Sequence, residues 1–433
     1  MTEACKLLGV QPQTIYAYVS RGKLEVMPDP TDTRRRLYRA EDVAGLAKRK
    51  QAGRKHETLA ANTLFGSEPS IPTALCAFSR GRPYYRGRDA VRMARTATLE
   101  DAAQLLWGAE PGVDFSCAAS LRSGKPGRGA AFAALASLAV ARHSTAGRLA
   151  RGLAAEGPDL VGRRGTAVVS SSAAPLRPGR PGRGAACAAW ASLAAAGHST
   201  GGRLTRVLHA EGQDLVGRLA NAFGASPGHE ALHLRFAKGW KQPAKVADLL
   251  RTALVLLADH ELTSSAFAAR IAASTGASLP ACLLAGLTTL SGPLHGDASG
   301  RVRALFSEVE RLGEDQVLAH HLSNGLSLAG FGHHLYPDGD PRAAALLALF
   351  EPPRVIARFI AKVTKLTGLQ PNIDVALAAM AAHHRLPADA AFGLFATARS
   401  VGLLAHSLEQ LGTAQVIRPR GRYVGPMPEA PGA

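Results

Sequence analysis

Along the C-terminal half of the chain, apolar residues fall at the three- and four-residue steps of an α-helix. Leu249, Leu250, Ala253, Leu254, Leu256 and Leu257 make one segment apolar on nearly every side, which predicts a buried helix running on from Val246. Further helical runs are predicted over Leu279–Leu290 and over residues 342–350, 353–366, 373–382 and 390–411. Nearer the N-terminus, Thr98 precedes another such run, and Glu100 and Asp101 fall in its first turn. A Thr cap and early carboxylates both favour a helix start. Apolar residues make up 46% of the chain but aromatics only 5%, and Ala and Leu dominate the long stretches. Those two residues cost least in a helix. The expected fold class is all-α.

The first fifty residues pattern as a separate unit. Residues 2–8 read as a short amphipathic helix stopped by Gly9, and residues 10–14 open a second helix with Ile15, Tyr18 and Val19 spaced to pack inward. A polar segment then leads to Arg34, Arg35, Arg36, Leu37 and Tyr38, and a third helix begins near Arg39. Residues 51–70 are polar and read as a linker.

An internal repeat follows. Residues 116–163 and 171–218 align without gaps at a shift of 55, with 35 of 48 positions identical. A solenoid needs at least three units, so two copies this alike point to a tandem duplication. Each copy reads as an Ala-rich helix, a His-Ser-Thr turn and a second helix. One copy suffices to join the flanking segments, and the other is expected to loop out. The second copy runs directly into the helices that follow it.

The formal net charge is +18, and residues 117–220 hold 14 Arg and Lys against 4 Asp and Glu. Such a charge attracts polyanions, either DNA or a phosphate-bearing cofactor such as coenzyme A. An Arg preference across an Ala/Gly/Arg-rich proteome gives the same excess. No stretch approaches the 18 or so uninterrupted apolar residues of a membrane span. The first residues lack the basic-then-apolar layout of a secretory signal. Five scattered cysteines without Cys-x-x-Cys spacing suit a reducing cytoplasm, the expected location, and argue against a metal or disulfide framework.

The densest chemistry lies in three short segments: Gly292-Pro293-Leu294-His295-Gly296, Gly330-Phe331-Gly332-His333 and Pro371-Asn372-Ile373-Asp374. Each places one proton-handling side chain in a turn beside an apolar helical run. Two imidazoles and a carboxylate are what a carbon–carbon condensation through an enolate needs. The carboxylate removes a proton, one imidazole polarises the first carbonyl, and the other serves the second. A thioester α-proton is too weakly acidic for a carboxylate in water, so the enolate oxygen must be stabilised as it forms. A neutral His donor in a dry site does this without a charge to desolvate. Asp374 must stay ionised yet gain basicity from partial burial.

These segments, in this order and with these neighbours, resemble citrate synthase. The resemblance covers residues 66–115 and 219–425 and implies His295, His333 and Asp374 as catalytic residues. It implies substrate-binding roles for His260 in Ala258-Asp259-His260-Glu261, Arg342 in Asp340-Pro341-Arg342, Arg399 in Thr397-Ala398-Arg399, and Arg418 in Ile417-Arg418-Pro419. Arg418 would reach across a homodimer interface. Oxaloacetate carries two carboxylates, which planar guanidinium groups fit better than Lys does. The implied architecture is a large helical domain over 71–295, a small one over 296–400 and a C-terminal return over 401–433, with the site in the cleft between the two domains. The implied reaction condenses acetyl-CoA, as co-substrate, with oxaloacetate, and no permanently bound cofactor or metal is expected.

Two features depart from the family pattern. Asp297 stands two residues after His295, where its charge is expected to raise that imidazole's proton affinity, and His334 follows His333 where an Arg or a small residue is common. Residues 1–50 resemble the winged helix-turn-helix of the MerR and excisionase families. That likeness implies Gln11, Gln13, Thr14 and Tyr16 on the groove-facing helix and Arg34, Arg35 and Arg36 against phosphates. Three alternatives stand beside the synthase: a 2-methylcitrate synthase using propionyl-CoA, a DNA-binding metabolite sensor built on the same fold, and an inactive paralogue damaged by the duplication.

Overall fold

The computed structural model describes residues 19, 24–28, 36–39, 41–43, 71–116, 199–292 and 294–419. Two compact units emerge, one of Met1–Pro72 with Pro419–Ala433 and the other of Thr73–Arg418.

In the first unit, β1 (Val26–Pro28) and β2 (Arg36–Tyr38) pair antiparallel, with Val26 opposite Tyr38 and Met27 opposite Leu37. This pairing falls where the winged helix-turn-helix likeness places a wing. The Arg39 guanidinium donates to Glu25 at 2.8 Å, and Asp42 accepts the Glu25 amide at 3.0 Å, tying the following turn to the hairpin. Leu24 and Val43 are buried beneath it. Gln11, Gln13, Thr14, Tyr16, Arg34 and Arg35 lie outside the described residues, and Arg36 begins β2.

The second unit opens with a small antiparallel sheet, β3 (Cys76–Ser79), β4 (Arg82–Tyr85) and β5 (Arg88–Asp89), in that order. The helical pattern did not announce it. Arg80 and Gly81, with φ of 50° and 70°, make the first two-residue turn, and Arg86 and Gly87, with φ of 42° and 79°, make the second. Positive φ at both central positions is the requirement of the turn that matches strand twist.

Among the described residues that follow, there are helices and no further sheet. They are α1 (Ala90–Met93), α2 (Leu99–Trp107), α3 (Thr205–Ala222), α4 (Leu232–Gly239), α5 (Ala244–Leu257), α6 (Ser264–Ser274) and α7 (Leu279–Leu290). Then come α8 (Ala298–Leu312), α9 (Glu314–Ser323), α10 (Pro341–Leu347), α11 (Arg354–Thr367), α12 (Ile373–His383) and α13 (Ala390–Thr413). Thr98 caps α2 as predicted: its hydroxyl accepts the Asp101 amide, and Asp101 accepts the Thr98 amide in return. Among the described residues, no helix is long and apolar enough to cross a membrane.

The second copy of the repeat supplies α3 up to Arg218. Leu208, Leu215, Val216 and Leu219 face inward, and the Ser199 hydroxyl donates to the Gly276 carbonyl at 2.8 Å. Gly212 lets α3 approach Trp107, whose ring a Cβ there would meet at 3.3 Å. The first copy carries the same Gly157, Leu160 and Val161, but residues 117–163 lie outside the described residues.

Two hydrophobic cores divide the unit. The larger gathers β3, β4 and most helices, with α5 buried from Leu249 to Leu257. The smaller is built from Val302, Leu305, Phe306 and Val309 of α8, Val317 and Leu318 of α9, and Ile356, Phe359 and Val363 of α11. Helix α12 serves both, giving Ile373, Ala376, Leu377 and Met380 to the first and Val375, Ala378 and Ala379 to the second. Its first turn, with Asp374, therefore sits where the two cores meet.

Candidate active site

Backbone pairing fastens two of the three chemistry-bearing segments together. The Gly332 amide donates to the Gln370 carbonyl and the Asn372 amide to the Gly330 carbonyl, both at 2.8 Å, around an antiparallel bridge between Phe331 and Pro371. Gly330 has φ of 83°, and a Cβ there would lie 2.5 Å from Val302 and 2.7 Å from Val375, so only glycine fits. His333 and Asp374 are thereby held on adjoining strands of one turn pair.

Asp374 is the second residue of α12, whose start is set by Asn372, the side chain of which accepts the Asp374 amide at 2.9 Å. Its carboxylate is buried, and Oδ1 has no hydrogen-bond partner among the described residues. Burial pushes this carboxyl up to about 7, against the pull of Arg342, with the Asp340 charge adding to the rise.

His333 accepts the Leu335 amide on Nδ1 at 3.2 Å, so in the neutral ring Nε2 carries the proton. Burial, and then the Arg342 charge, bring it down to about 4. His295 follows α7 in a turn closed by the Gly296 amide on the Leu290 carbonyl, where a Cβ on Gly296 would meet Leu290 at 2.6 Å. The His295 Nε2 lies 2.8 Å from the Ser265 hydroxyl, itself 3.0 Å from Thr263, the cap of α6. Burial and then Arg399 bring His295 down to about 4 as well. Both imidazoles are neutral donors at neutral pH. The Asp297 expectation is corrected here. The shift is downward, and Asp297 packs against Gly300, where a Cβ would sit 2.7 Å from its Oδ1.

His260 sits in the turn after α5, its Nε2 at 3.0 Å from the Tyr336 hydroxyl and its ring centroid 5.4 Å from that of His333. Phe78 from β3 closes the other side, 4.8 Å from His260 and 5.8 Å from Tyr336. Burial, then Arg342 and Arg399, hold His260 well below the usual histidine range. Outside this wall, His334 stacks on His333 at 4.8 Å.

Two buried arginines supply the positive charge. Asp340 caps α10 and grips Arg342 through two hydrogen bonds of 3.0 and 2.8 Å, while its Oδ2 also accepts the Ile373 amide at 3.0 Å. One carboxylate thus joins Arg342 to the start of α12. Arg399 on α13 donates from Nε to the Leu257 carbonyl at 3.1 Å and lies over the Phe395 ring. Its terminal nitrogens make no hydrogen bond among the described residues, which leaves them for a ligand. The Arg399 charge acts on His260, His295 and Asp374, and the Arg342 charge on His260, His333 and Asp374, so both lie in one electrostatic neighbourhood with the three candidate catalytic groups. Arg418 is elsewhere: it is exposed, and the adjoining Ile417 amide is bonded to Ser274, at the opposite end of α6 from Ser265.

Sequence reading missed Tyr336, Phe78, Ser265 and Asp340. Only Asp340 left a signal, because Asp before Pro marks a helix start. Among the described residues, no cluster of His, Cys, Asp and Glu could hold a metal ion.

The body is largely helical with one small sheet, and it carries paired His turns and a buried carboxyl at a helix start. Residues 66–420 match the family model described as citrate synthase, C-terminal domain, and the chain belongs to that family. Residues 1–52 match the MerR HTH family regulatory protein model. The putative citrate synthase 2 of Mycobacterium tuberculosis is 37% identical over 190 residues, 41% of this chain and 51% of that protein. Citrate synthase of Haloferax volcanii is 33% identical over 212 residues (46% and 55%), and citrate/2-methylcitrate synthase of Bacillus subtilis is 33% identical over 188 residues (40% and 50%). The chain spans about half the length of the curated relatives it matches. The crystal structure of citrate synthase from Thermotoga maritima shares the fold with a TM-score of 0.57 at 22% identity, covering 85% of this chain and 97% of that one. Citrate synthase from Thermoplasma acidophilum, solved as a ternary complex with carboxymethyl coenzyme A and oxaloacetate, gives 0.57 at 20% identity, covering 83% and 95%.

Proposed function

We propose that this protein condenses acetyl-CoA with oxaloacetate and water to give citrate and CoA. The observation that carries the reading is one buried carboxyl raised to about 7 and two imidazoles lowered to about 4, each acted on by one or both of two buried arginines. Asp374 takes a proton from the thioester methyl group. With the Ser265 hydroxyl donating to Nε2, the His295 proton stands on Nδ1 and is given to the enolate oxygen as a hydrogen bond. The enolate carbon attacks the keto carbon of oxaloacetate, whose oxygen accepts from His333 Nε2. Water then cleaves the citryl thioester, releasing CoA. Arg399 and Arg342 hold the carboxylates, with His260 beside the keto acid. Arg418 completes a neighbouring site within a homodimer. A cytoplasmic location suits the buried free thiols of Cys76 and Cys282.

Thiol release by purified protein tests this directly, using acetyl-CoA or propionyl-CoA with and without oxaloacetate. CoA should appear only when both substrates are present, with citrate as product. The name of the Bacillus subtilis relative keeps propionyl-CoA as the second donor. Release independent of oxaloacetate, or none with either thioester, rules the condensation out.

The β1–β2 hairpin supports a second property, DNA binding by the N-terminal unit. Affinity for duplex DNA is expected to fall steeply with salt. Replacing Arg34, Arg35 and Arg36 together by Ala should flatten the log–log slope by about 0.9 for each phosphate that is no longer neutralised. A slope that ignores both salt and the triple change removes the claim.

A further inference from the structure

Behind the candidate site lies a buried pair that no step of the condensation uses. His406 and Asp259 are both 0% exposed, and His406 Nε2 lies 3.3 Å from Asp259 Oδ1. The other ring nitrogen, Nδ1, is 3.3 Å from Nη1 of Arg270. A guanidinium only donates, so Nδ1 accepts and the ring proton stands on Nε2, on the Asp259 side, a close approach of two buried atoms, neither of which has a hydrogen bond of good geometry among the described residues. Arg270 is itself anchored, by Glu409 at 2.6 Å and by Gln410 at 3.1 Å.

Asp259 shapes the turn that carries His260. Its Oδ2 accepts the Glu261 amide at 3.2 Å, where the chain passes through a φ of 62°. Its Oδ1 fills the space beside Gly402, where a Cβ would lie only 2.4 Å away, and the Gly402 amide donates to the Ala258 carbonyl at 3.0 Å. Arg399, one turn earlier on α13, holds the Leu257 carbonyl. Arg399, Gly402 and His406 thus share one face of α13 and seat residues 257–260 against it. The same carboxylate balances charge. Burial works against its ionisation, yet His406 and then Arg399 keep it below the usual carboxylate range. Burial lowers the proton affinity of Arg399, and Asp259 is the first group opposing that fall.

We infer that Asp259 and His406 form a positioning pair that holds Arg399 and His260 in register for the two-carboxylate substrate, without touching it. The inference rests on the proposed condensation. A buried arginine without a counter-charge would bear its desolvation alone, and a loosened 257–260 turn would move His260 off Tyr336 and His333.

The test is a steady-state and binding comparison of the full chain with His406→Leu, His406→Gln and Asp259→Asn. His406→Leu removes the donor, whereas His406→Gln places an amide N–H where Nε2–H stood. His406→Leu and Asp259→Asn are expected to raise the KM and the calorimetric Kd for oxaloacetate about tenfold or more, the scale of leaving one buried charged group without its neighbour. KM for the acyl-CoA should stay within about threefold, and kcat should fall less than oxaloacetate affinity. His406→Gln should recover most of that affinity. Equal losses in both KM values, or a His406→Gln variant as weak as His406→Leu, overturn the inference. Should His406→Leu not fold, Asp259→Asn and His406→Gln decide the matter by the same readings. The parent protein separates the two levels: no oxaloacetate-dependent thiol release from it defeats the proposed function, whereas an active parent with unaltered variants defeats only the positioning pair.

Discussion

Asp374→Asn is expected to lower kcat by about 10²–10⁴-fold, the usual scale of a lost general base, while oxaloacetate binding changes little. The amide keeps the shape of the carboxylate but cannot accept the methyl proton, so deuterium exchange into the acetyl group should stop as well. In the parent, kcat/KM should rise with pH through an apparent pKa near 7, because only ionised Asp374 is a base. His295 and His333, brought down to about 4, stay neutral across that rise and add no limb of their own.

The same group links activity to stability. Its folded pKa is raised above the ordinary 3.8, so the folded protein holds this proton more tightly than the unfolded chain does. The stability tied to that proton is full below 3.8 and is lost as pH climbs through about 7. The whole loss amounts to about 4 kcal/mol. The Asp374→Asn variant carries no such dependence, so its stability relative to the parent should grow with pH across this window. Denaturant titrations near pH 4 and pH 8 measure the difference. A variant that turns over and exchanges like the parent would show Asp374 to be only a helix-terminal charge.

Much of the helical body was legible because its helices are long and Ala/Leu-rich. The predicted span Leu279–Leu290 is the observed α7, and the runs expected from 353 and 390 begin within a residue of α11 and α13. The strands of 2–4 residues were not, since two Arg-Gly turns dominate residues 76–89 and leave no room for alternation to register. At the site, glycines and prolines marked His295, His333 and Asp374: Gly330 and Gly332 take positive φ, Gly296 leaves room for Leu290, and Pro371 fixes its own φ before the α12 cap. What could not be read were partners distant in sequence. Tyr336 meets His260 across 76 positions, and His406 meets Asp259 from another helix. Asp297 misled for a related reason. Proximity along the chain suggested a charge acting on His295, but α8 begins at Ala298 and the Asp297 carboxylate packs along that helix at Gly300.

Arg399→Lys should show the opposite kinetic signature to Asp374→Asn. Arg399 is 2% exposed and commits Nε to the Leu257 carbonyl, and its terminal nitrogens make no hydrogen bond among the described residues. A lysine offers one compact ammonium and cannot hold the carbonyl and grip a planar carboxylate with a fork of donors. It is also more strongly hydrated, so its burial costs more. The retained positive charge still balances Asp259, which keeps the fold from collapsing around an unpaired carboxylate. Losing one charge-assisted hydrogen bond is worth about 1.5–3 kcal/mol, which corresponds to oxaloacetate binding weaker by about 10–150-fold. The acyl-CoA KM should change little, and exchange of the acetyl protons at saturating oxaloacetate should persist, because Asp374 and His295 are untouched. Calorimetric titration with oxaloacetate reads the effect without turnover, and a Kd equal to that of the parent would mean that Arg399 braces α13 against the Leu257 turn and binds no substrate.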